Sequence, residues 1–381
     1  MKKSVYLDNA ATTPLLPEVI ELMNDIMKNQ FGNPSSIHEE GRKARAIIED
    51  ARKTVARAIG ASIGEIFFTS GGTESNNWAL KGAVRDLGIK RIISSPTEHH
   101  CVLHSLQSIE AHYDVTLIFL HTDQLGHIDY TQLEDLLADS TVPTLVSLMH
   151  ANNEMGTLHD IERVGQLCHQ YGALFHSDTV QTIGHYPLDV QDLYITFLSG
   201  SAHKFHGPKG VGFLYINSNH FIKPYIDGGS QERNMRGGTE NIYGIAGMAK
   251  ALELAMDQLD SRRAHIESLR CYFVQKLTDT FGDIQFNGDW ENGLYTVLNV
   301  SFPPSDRSDL LLILLDIAGI RASGGSACSS GAETHSHVLQ AIQADPARKA
   351  VRFSFSHFNT AGEIDYVVEQ LKTIFSQKAT V

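Results

Sequence analysis

Asp178 and Lys204 are the two side chains of this sequence that most need a chemical reason. Each follows a short apolar run, ending at Phe175 and Leu198, where a charge is expensive unless it is paired or used. A lysine of lowered pKa can condense with a carbonyl as a Schiff base. An aspartate opposite a pyridine ring keeps the ring nitrogen protonated and makes the ring an electron sink. A third element, Ser70-Gly71-Gly72-Thr73, lies between a strand pattern and a helix start. Its glycines permit close backbone approach, and the helix N-terminus favours an anion, most simply a phosphate. Phosphate cradle, carboxylate and amine are the parts of a pyridoxal phosphate site. Asp178 and Lys204 also fit a plain structural ion pair. The glycine segment lacks both the G-x-G-x-x-G spacing and the Gly-Lys-Ser/Thr of a P-loop, which argues against dinucleotides and nucleoside triphosphates.

Cys328 is the next candidate. It sits in Ser323-Gly324-Gly325-Ser326-Ala327-Cys328-Ser329-Ser330-Gly331, a run of small residues that cannot build a core. A structural cysteine is normally packed among bulky apolar groups, so reactivity is favoured here over packing. Cys168, inside a helix pattern, and Cys271, inside an apolar stretch, read as core thiols. Cys101 is ambiguous. With His99, His100 and His104 it could form a zinc cluster, His100 and His104 being one helical turn apart.

These residues need a scaffold. Apolar positions at helical spacing run through 17–29 and 39–59, and Gly60 supplies a stop. Short β-branched and aromatic runs follow at 66–68, 91–94, 115–120, 144–149, 173–175, 194–198 and 211–216, most of them separated by helical stretches such as 74–87 and 161–171. The alternation predicts an α/β fold, a mostly parallel sheet between helices. Ligands bind at the carboxyl ends of such strands, which is where Thr69, His150, Asp178 and Ser201 fall. A long helical stretch is expected from Ile242 to Leu277, then a smaller α+β region with strands near 297–302 and 351–356 and a last helix near 361–376. The domains read as 15–255 for the large one, and 1–14 with 256–381 for the small one, which carries the Cys328 loop at about 322–333.

The chain has 381 residues and four cysteines, too few for a disulfide-stapled scaffold. Its formal charge of −13 argues against nucleic acid or an anionic membrane as the main partner. The N-terminus lacks the apolar core of a signal peptide, and no run approaches a membrane span. A reducing, cytoplasmic setting is expected.

Taken together, the segments YLDNAATTP from Tyr6, FGNPSSIH from Phe31, FFTSGGTESNN from Phe67, TEHH from Thr97, HANNEMG from His150, HSDTVQ from His176, SAHKFHGPKG from Ser201, RGGTENI from Arg236, SGGSACSSG from Ser323 and VRFSFSHFNT from Val351 resemble the cysteine desulfurases of the NifS/IscS-like group. These are class V aminotransferase-family, fold-type I pyridoxal-phosphate enzymes, and the resemblance runs nearly end to end. It implies that Lys204 holds the cofactor, Asp178 pairs with the pyridine nitrogen, Gln181 bonds the ring hydroxyl oxygen and His99 stacks on the ring. Gly72, Thr73, Ser201 and His203 are implied to bind the phosphate, and Thr239 the phosphate of the other subunit of a homodimer. Asn153, with Asn152 as the adjacent alternative, lies beside cofactor and substrate, and Arg352 clamps the substrate carboxylate. The implied reaction converts L-cysteine to L-alanine and leaves a persulfide on Cys328. The sulfur passes to an acceptor protein for iron–sulfur cluster assembly or another thiolation pathway. No permanent metal is implied, with Cys328 a candidate transient cluster ligand. A selenocysteine lyase and a class V aminotransferase are the alternatives within the fold. Members that feed a dedicated iron–sulfur scaffold carry a longer C-terminal tail, so that partner, or at least that docking mode, is not expected here.

Overall fold

Seven short strands form the main sheet of the computed structural model, which describes residues 4–325 and 336–376. Their order is Ile66–Thr69, Gly212–Ile216, Phe197–Ser201, Leu174–Asp178, Thr144–Ser147, Arg91–Ser94 and Thr116–Phe119. Gly212–Ile216 pairs antiparallel with both its neighbours and the remaining pairs are parallel. The period-2 alternation of a strand explains how such short segments feed two cores. Phe67, Leu145, Phe197 and Leu214 face the helices Gly72–Leu87 and His100–His112. Phe68, Val146, Leu198, Phe213 and Tyr215 face the other side, against the helices Pro17–Asn29, Glu39–Ala58 and Ile242–Asp257. Burial on both faces is why the strands read as continuous apolar runs.

A third core lies in the C-terminal part. The antiparallel strands Lys349–Ser354, Val297–Phe302 and Gln285–Asn287 pack under the helices Leu259–Thr280 and Ala361–Ser376 through Phe273, Leu277, Val300, Phe353, Ile364 and Leu371. The chain start joins this core. Val5 and Leu7 are buried in it, and Val5–Tyr6 pairs parallel with Ile320–Arg321. The N-terminal segment then runs back to the main sheet, where Thr13 N–H donates to His203 O at 2.9 Å.

Two expectations need correction. The long helical stretch is two helices, Ile242–Asp257 and Leu259–Thr280, which meet at Gln258 (φ −111°, ψ 14°). The first is buried against the large core and the second packs into the small one, so the axis must turn between them. Cys271 is exposed, not a core thiol. Leu269, Phe273 and Leu277 share the buried face of its helix, and Cys271 lies on the other. Among the described residues no helix is long and apolar enough to cross a membrane.

Candidate active site

The strand ends converge on one cavity of about 220 Å³. Gly72 and Thr73 enter it from the turn after Ile66–Thr69, and His99 and Cys101 from the start of the helix His100–His112. Asn153 comes from the turn after Thr144–Ser147, Asp178 and Gln181 from the end of Leu174–Asp178, and Ser201, His203 and Lys204 from the end of Phe197–Ser201. Arg352 reaches in from the small sheet, and Ala10 and Ala11 from the N-terminal segment. Of the residues that the resemblance assigns to cofactor and substrate within the described residues, Thr239 and the alternative Asn152 do not line this cavity, nor do His100 and His104. Thr239 is exposed, in the loop before the helix Ile242–Asp257.

Lys204 Nζ donates to Ala10 O at 2.6 Å and to Ala11 O at 2.9 Å. Its resting contacts therefore include two backbone carbonyls of the N-terminal segment. Asp178 is held at both oxygens: Oδ1 accepts from Val180 N–H at 2.9 Å and Oδ2 from Asn76 Nδ2 at 2.6 Å. Gln181 Nε2 donates to Ala10 O at 3.1 Å, and His203 Nδ1 lies 3.1 Å from Thr12 Oγ1. The N-terminal segment thus contacts Lys204, Gln181 and His203 in the cavity.

His99 caps the helix His100–His112. Its Nδ1 accepts from Cys101 N–H at 3.1 Å, which leaves Nε2 to carry the ring proton. Burial pushes its pKa below the usual histidine range, so the ring is neutral and free to pack as an aromatic face. Cys101 Sγ sits 3.0 Å from that Nδ1, and burial raises its thiol pKa to about 12. Cys101 is therefore a protonated wall of the cavity and no nucleophile at neutral pH. Among the described residues no group of histidines, cysteines and carboxylates is placed to hold a metal ion.

The structure separates Asn152 from Asn153. Asn152 is fully buried and its side chain is spent on the turn, donating to Thr97 O and accepting from Glu154 N–H and Met155 N–H. Asn153 lines the cavity, and its carbonyl accepts from Arg352 Nη1 at 2.8 Å.

At the anionic end, Gly71 (φ +148°) occupies a backbone conformation that a side chain would strain. A Cβ on Gly72 would fall 2.6 Å from Val180 Cγ2. The helix Gly72–Leu87 begins there, with leading N–H groups that have no acceptor within the helix. A shallower depression shares Gly72, Thr73, Ser201 and His203 and adds the cation of Lys209. Amine, carboxylate, neutral aromatic ring and a side-chain-free helix N-terminus in one cavity fit an aromatic aldehyde with a phosphate arm.

The aminotransferase class-V sequence profile matches residues 5–367. The chain belongs to the class-V aminotransferase family. It is 45% identical over 386 residues to a protein of Dictyoglomus turgidum named "Cysteine desulfurase IscS", an alignment that covers 100% of this chain and 97% of the relative. A solved NifS-like protein superposes with a TM-score of 0.90 at 38% identity, covering 98% of this chain and all of that one. The structure entitled "SspA in complex with cysteine" superposes at 0.80 with 33% identity, covering 94% and 100%. The family's cofactor is pyridoxal 5'-phosphate, and the fold is that of its fold-type I members.

Cys328 lies outside the described residues. The described residues on either side of that segment meet at one carboxylate: the Ser336 hydroxyl bonds Glu154 Oε2, and a Cβ on Gly325 would lie 2.9 Å from the same oxygen. Sequence reasoning missed Asn76, Asp8 and Lys209. Asn76 had a signal: it is the polar member of a helical face otherwise made of Ala79, Leu80 and Ala83. Asp8 and Lys209 act through neighbours remote in sequence and had none.

Proposed function

We propose that the protein is a cysteine desulfurase that takes sulfur from L-cysteine, releases L-alanine and carries the sulfur as a persulfide on Cys328. The observation that carries this reading is the pairing of Arg352 with Ser323. The two exchange backbone hydrogen bonds, Arg352 N–H to Ser323 O at 2.7 Å and Ser323 N–H to Arg352 O at 3.2 Å. The residue that anchors a substrate carboxylate is thereby tied to the stem of the segment that bears Cys328 in its run of small residues. Two relatives support the substrate, one by its name and one by its bound cysteine.

Pyridoxal phosphate bound in the cavity supplies an aldehyde for primary amines and a ring that stabilises negative charge at the adjoining carbon. Lys204 is the amine that retains it. Once the substrate amine takes that place, Lys204 Nζ is the base that removes and returns the proton at the substrate α-carbon. Asp178 holds the proton at the ring nitrogen, Gln181 the ring hydroxyl oxygen and His99 the ring face. Gly72, Thr73, Ser201 and His203 fix the phosphate. Arg352, with Asn153 beside it, orients the substrate carboxylate. Cys328 thiolate attacks the substrate sulfur; the S–S bond forms as the C–S bond breaks, and the carbon fragment takes up a proton and leaves as alanine.

The proposal extends to a homodimer. Phe31 and Ile37 are 84% and 91% exposed, apolar surface that a second copy would cover, and the exposed Thr239 would serve the phosphate site of that copy. The large domain spans 15–255 and the small domain 1–14 and 256–381. The sulfur acceptor is a protein of an iron–sulfur or other thiolation pathway, in a cytoplasm that keeps Cys328 reduced. The test is incubation with L-cysteine and a reductant, without any keto acid. Equal alanine and sulfide support the reading, and a requirement for a keto acid identifies an aminotransferase instead. Cys328→Ser should bind the cofactor normally yet form no persulfide.

A further inference from the structure

Behind Asp178 runs a buried chain of three hydrogen bonds that the assigned chemistry does not use. Asn76 Nδ2 donates to Asp178 Oδ2 at 2.6 Å, Asn76 Oδ1 lies 3.1 Å from His176 Nε2, and His176 Nδ1 lies 2.9 Å from Ser147 Oγ. Ser147, His176 and Asn76 are each fully buried. They come from three elements: the strands Thr144–Ser147 and Leu174–Asp178, which pair Ser147 with His176, and the helix Gly72–Leu87 packed on them.

The direction of every bond follows from the carboxylate. An ionised carboxylate only accepts, so the Asn76 amide nitrogen must face it. Asn76 Oδ1 then faces His176 and can only accept, so His176 Nε2 carries the ring proton. Burial holds the His176 pKa down to about 3, so the ring is neutral and its Nδ1 is a bare acceptor for the Ser147 hydroxyl. All three donors point the same way, toward Asp178. Such aligned chains polarise one another and strengthen the terminal bond. Val180 N–H holds Oδ1, so both carboxylate oxygens are fixed and the plane of the group is set.

We propose that Asn76, backed by His176 and Ser147, is the positioning residue that aims the Asp178 carboxylate at the cofactor's ring nitrogen and sets the strength of that contact. This rests on the assignment of Asp178 made above. Asn76 itself needs no contact with the reacting atoms.

The experiment compares release of pyridoxal phosphate from the purified holoenzyme, followed by loss of its visible absorbance on dilution, in wild type, Asn76→Ala and Asn76→Asp. The thermal midpoint of cofactor-stripped protein is the control for folding. Aspartate matches asparagine in size but places a second carboxylate against Asp178. A residue that only fills space predicts mild effects from Asn76→Asp and worse from Asn76→Ala. The positioning role predicts the reverse order, with release from Asn76→Asp accelerated roughly tenfold or more and the wavelength of the visible band shifted. If Asn76→Asp retains the cofactor like wild type, or better than Asn76→Ala, the proposal is wrong. Asp178→Asn separates this from the underlying assignment: if that variant releases cofactor no faster than wild type, the role of Asp178 itself falls. Should the Asn76 variants fail to fold, Ser147→Ala decides, since it deletes one oxygen at the far end of the chain. Faster release or a shifted band in that variant supports the chain, and neither change overturns it.

Discussion

Arg352 donates from Nη2 to Asp8 Oδ1 at 2.8 Å, and the same oxygen accepts the Ser323 hydroxyl at 2.8 Å. One carboxylate from the chain start thus braces both the cavity arginine and the stem that precedes Cys328. Asn153 O takes a second hydrogen from Arg352, and the buried Nε has no partner among the described residues. The guanidinium is held at two corners where it lines the cavity, and its planar fork suits a substrate carboxylate.

Arg352→Lys keeps a cation but loses that fork. Steady-state kinetics with L-cysteine should show KM raised by about ten- to a hundredfold, as loss of a charge-assisted pair implies, with a smaller change in kcat. A variant with wild-type KM would remove Arg352 from the substrate site.

Lys204→Ala should abolish alanine formation. It should also abolish the covalent attachment of cofactor that borohydride reduction fixes, while the fold, read by circular dichroism, is kept. Persistent borohydride labelling in this variant would mean that another lysine holds the cofactor.

Acid should destabilise the protein well before its carboxylates titrate. Burial lowers the pKa of His150, His176 and His206 to about 3 and of His185 to about 4. Their values in the unfolded chain are near 6.5, so on lowering the pH the unfolded state takes up protons first. Stability from these groups is complete above about pH 6.5 and is lost as pH falls toward the folded values of about 3 to about 4. Each contributes a slope of up to about 1.4 kcal/mol per pH unit within that window. Urea midpoints at pH 7.5 and 5.5 check this, and a midpoint that rises on acidification contradicts it.

Arg52 forms a two-pronged pair with Glu232, Nη1 to Oε2 at 2.7 Å and Nη2 to Oε1 at 2.9 Å, and Glu232 also accepts from Phe68 N–H. Both charged side chains are 3% exposed or less. Glu232→Ala leaves the buried guanidinium with only the partly exposed Glu49, 3.1 Å from its Nε, as counter-charge and should cost about 3 kcal/mol, read as a lower denaturant midpoint. A loss under about 1 kcal/mol would place the pair with weak surface contacts.

The three described cysteines should react with iodoacetamide in a fixed order. Cys271 is exposed and reacts in the native state. Cys101 reacts slowly, its thiol pKa near 12, and more slowly still with cofactor bound, since it lines the cavity. Cys168, buried and raised further, reacts only on unfolding. Peptide mapping after timed labelling measures the order.

What the sequence determined by itself is local and periodic. Apolar runs bounded by polar turns placed Asp178 and Lys204 at strand ends, and the carboxyl ends of strands in a mostly parallel sheet open into the ligand crevice. The glycine pair at 71–72 announced a helix N-terminus without side chains. Tertiary structure decided what depends on faces and remote neighbours. An apolar stretch around Cys271 does not reveal which side of the helix meets the core. Asn152 and Asn153 are equivalent in composition until one is used up inside the turn. Lys204 finds its resting partners at Ala10 and Ala11, nearly two hundred residues away, and Asp178 finds Asn76 only because a helix packs across its strand. Hydrogen bonds of that kind belong to the packing of elements, and no single segment's periodicity encodes them.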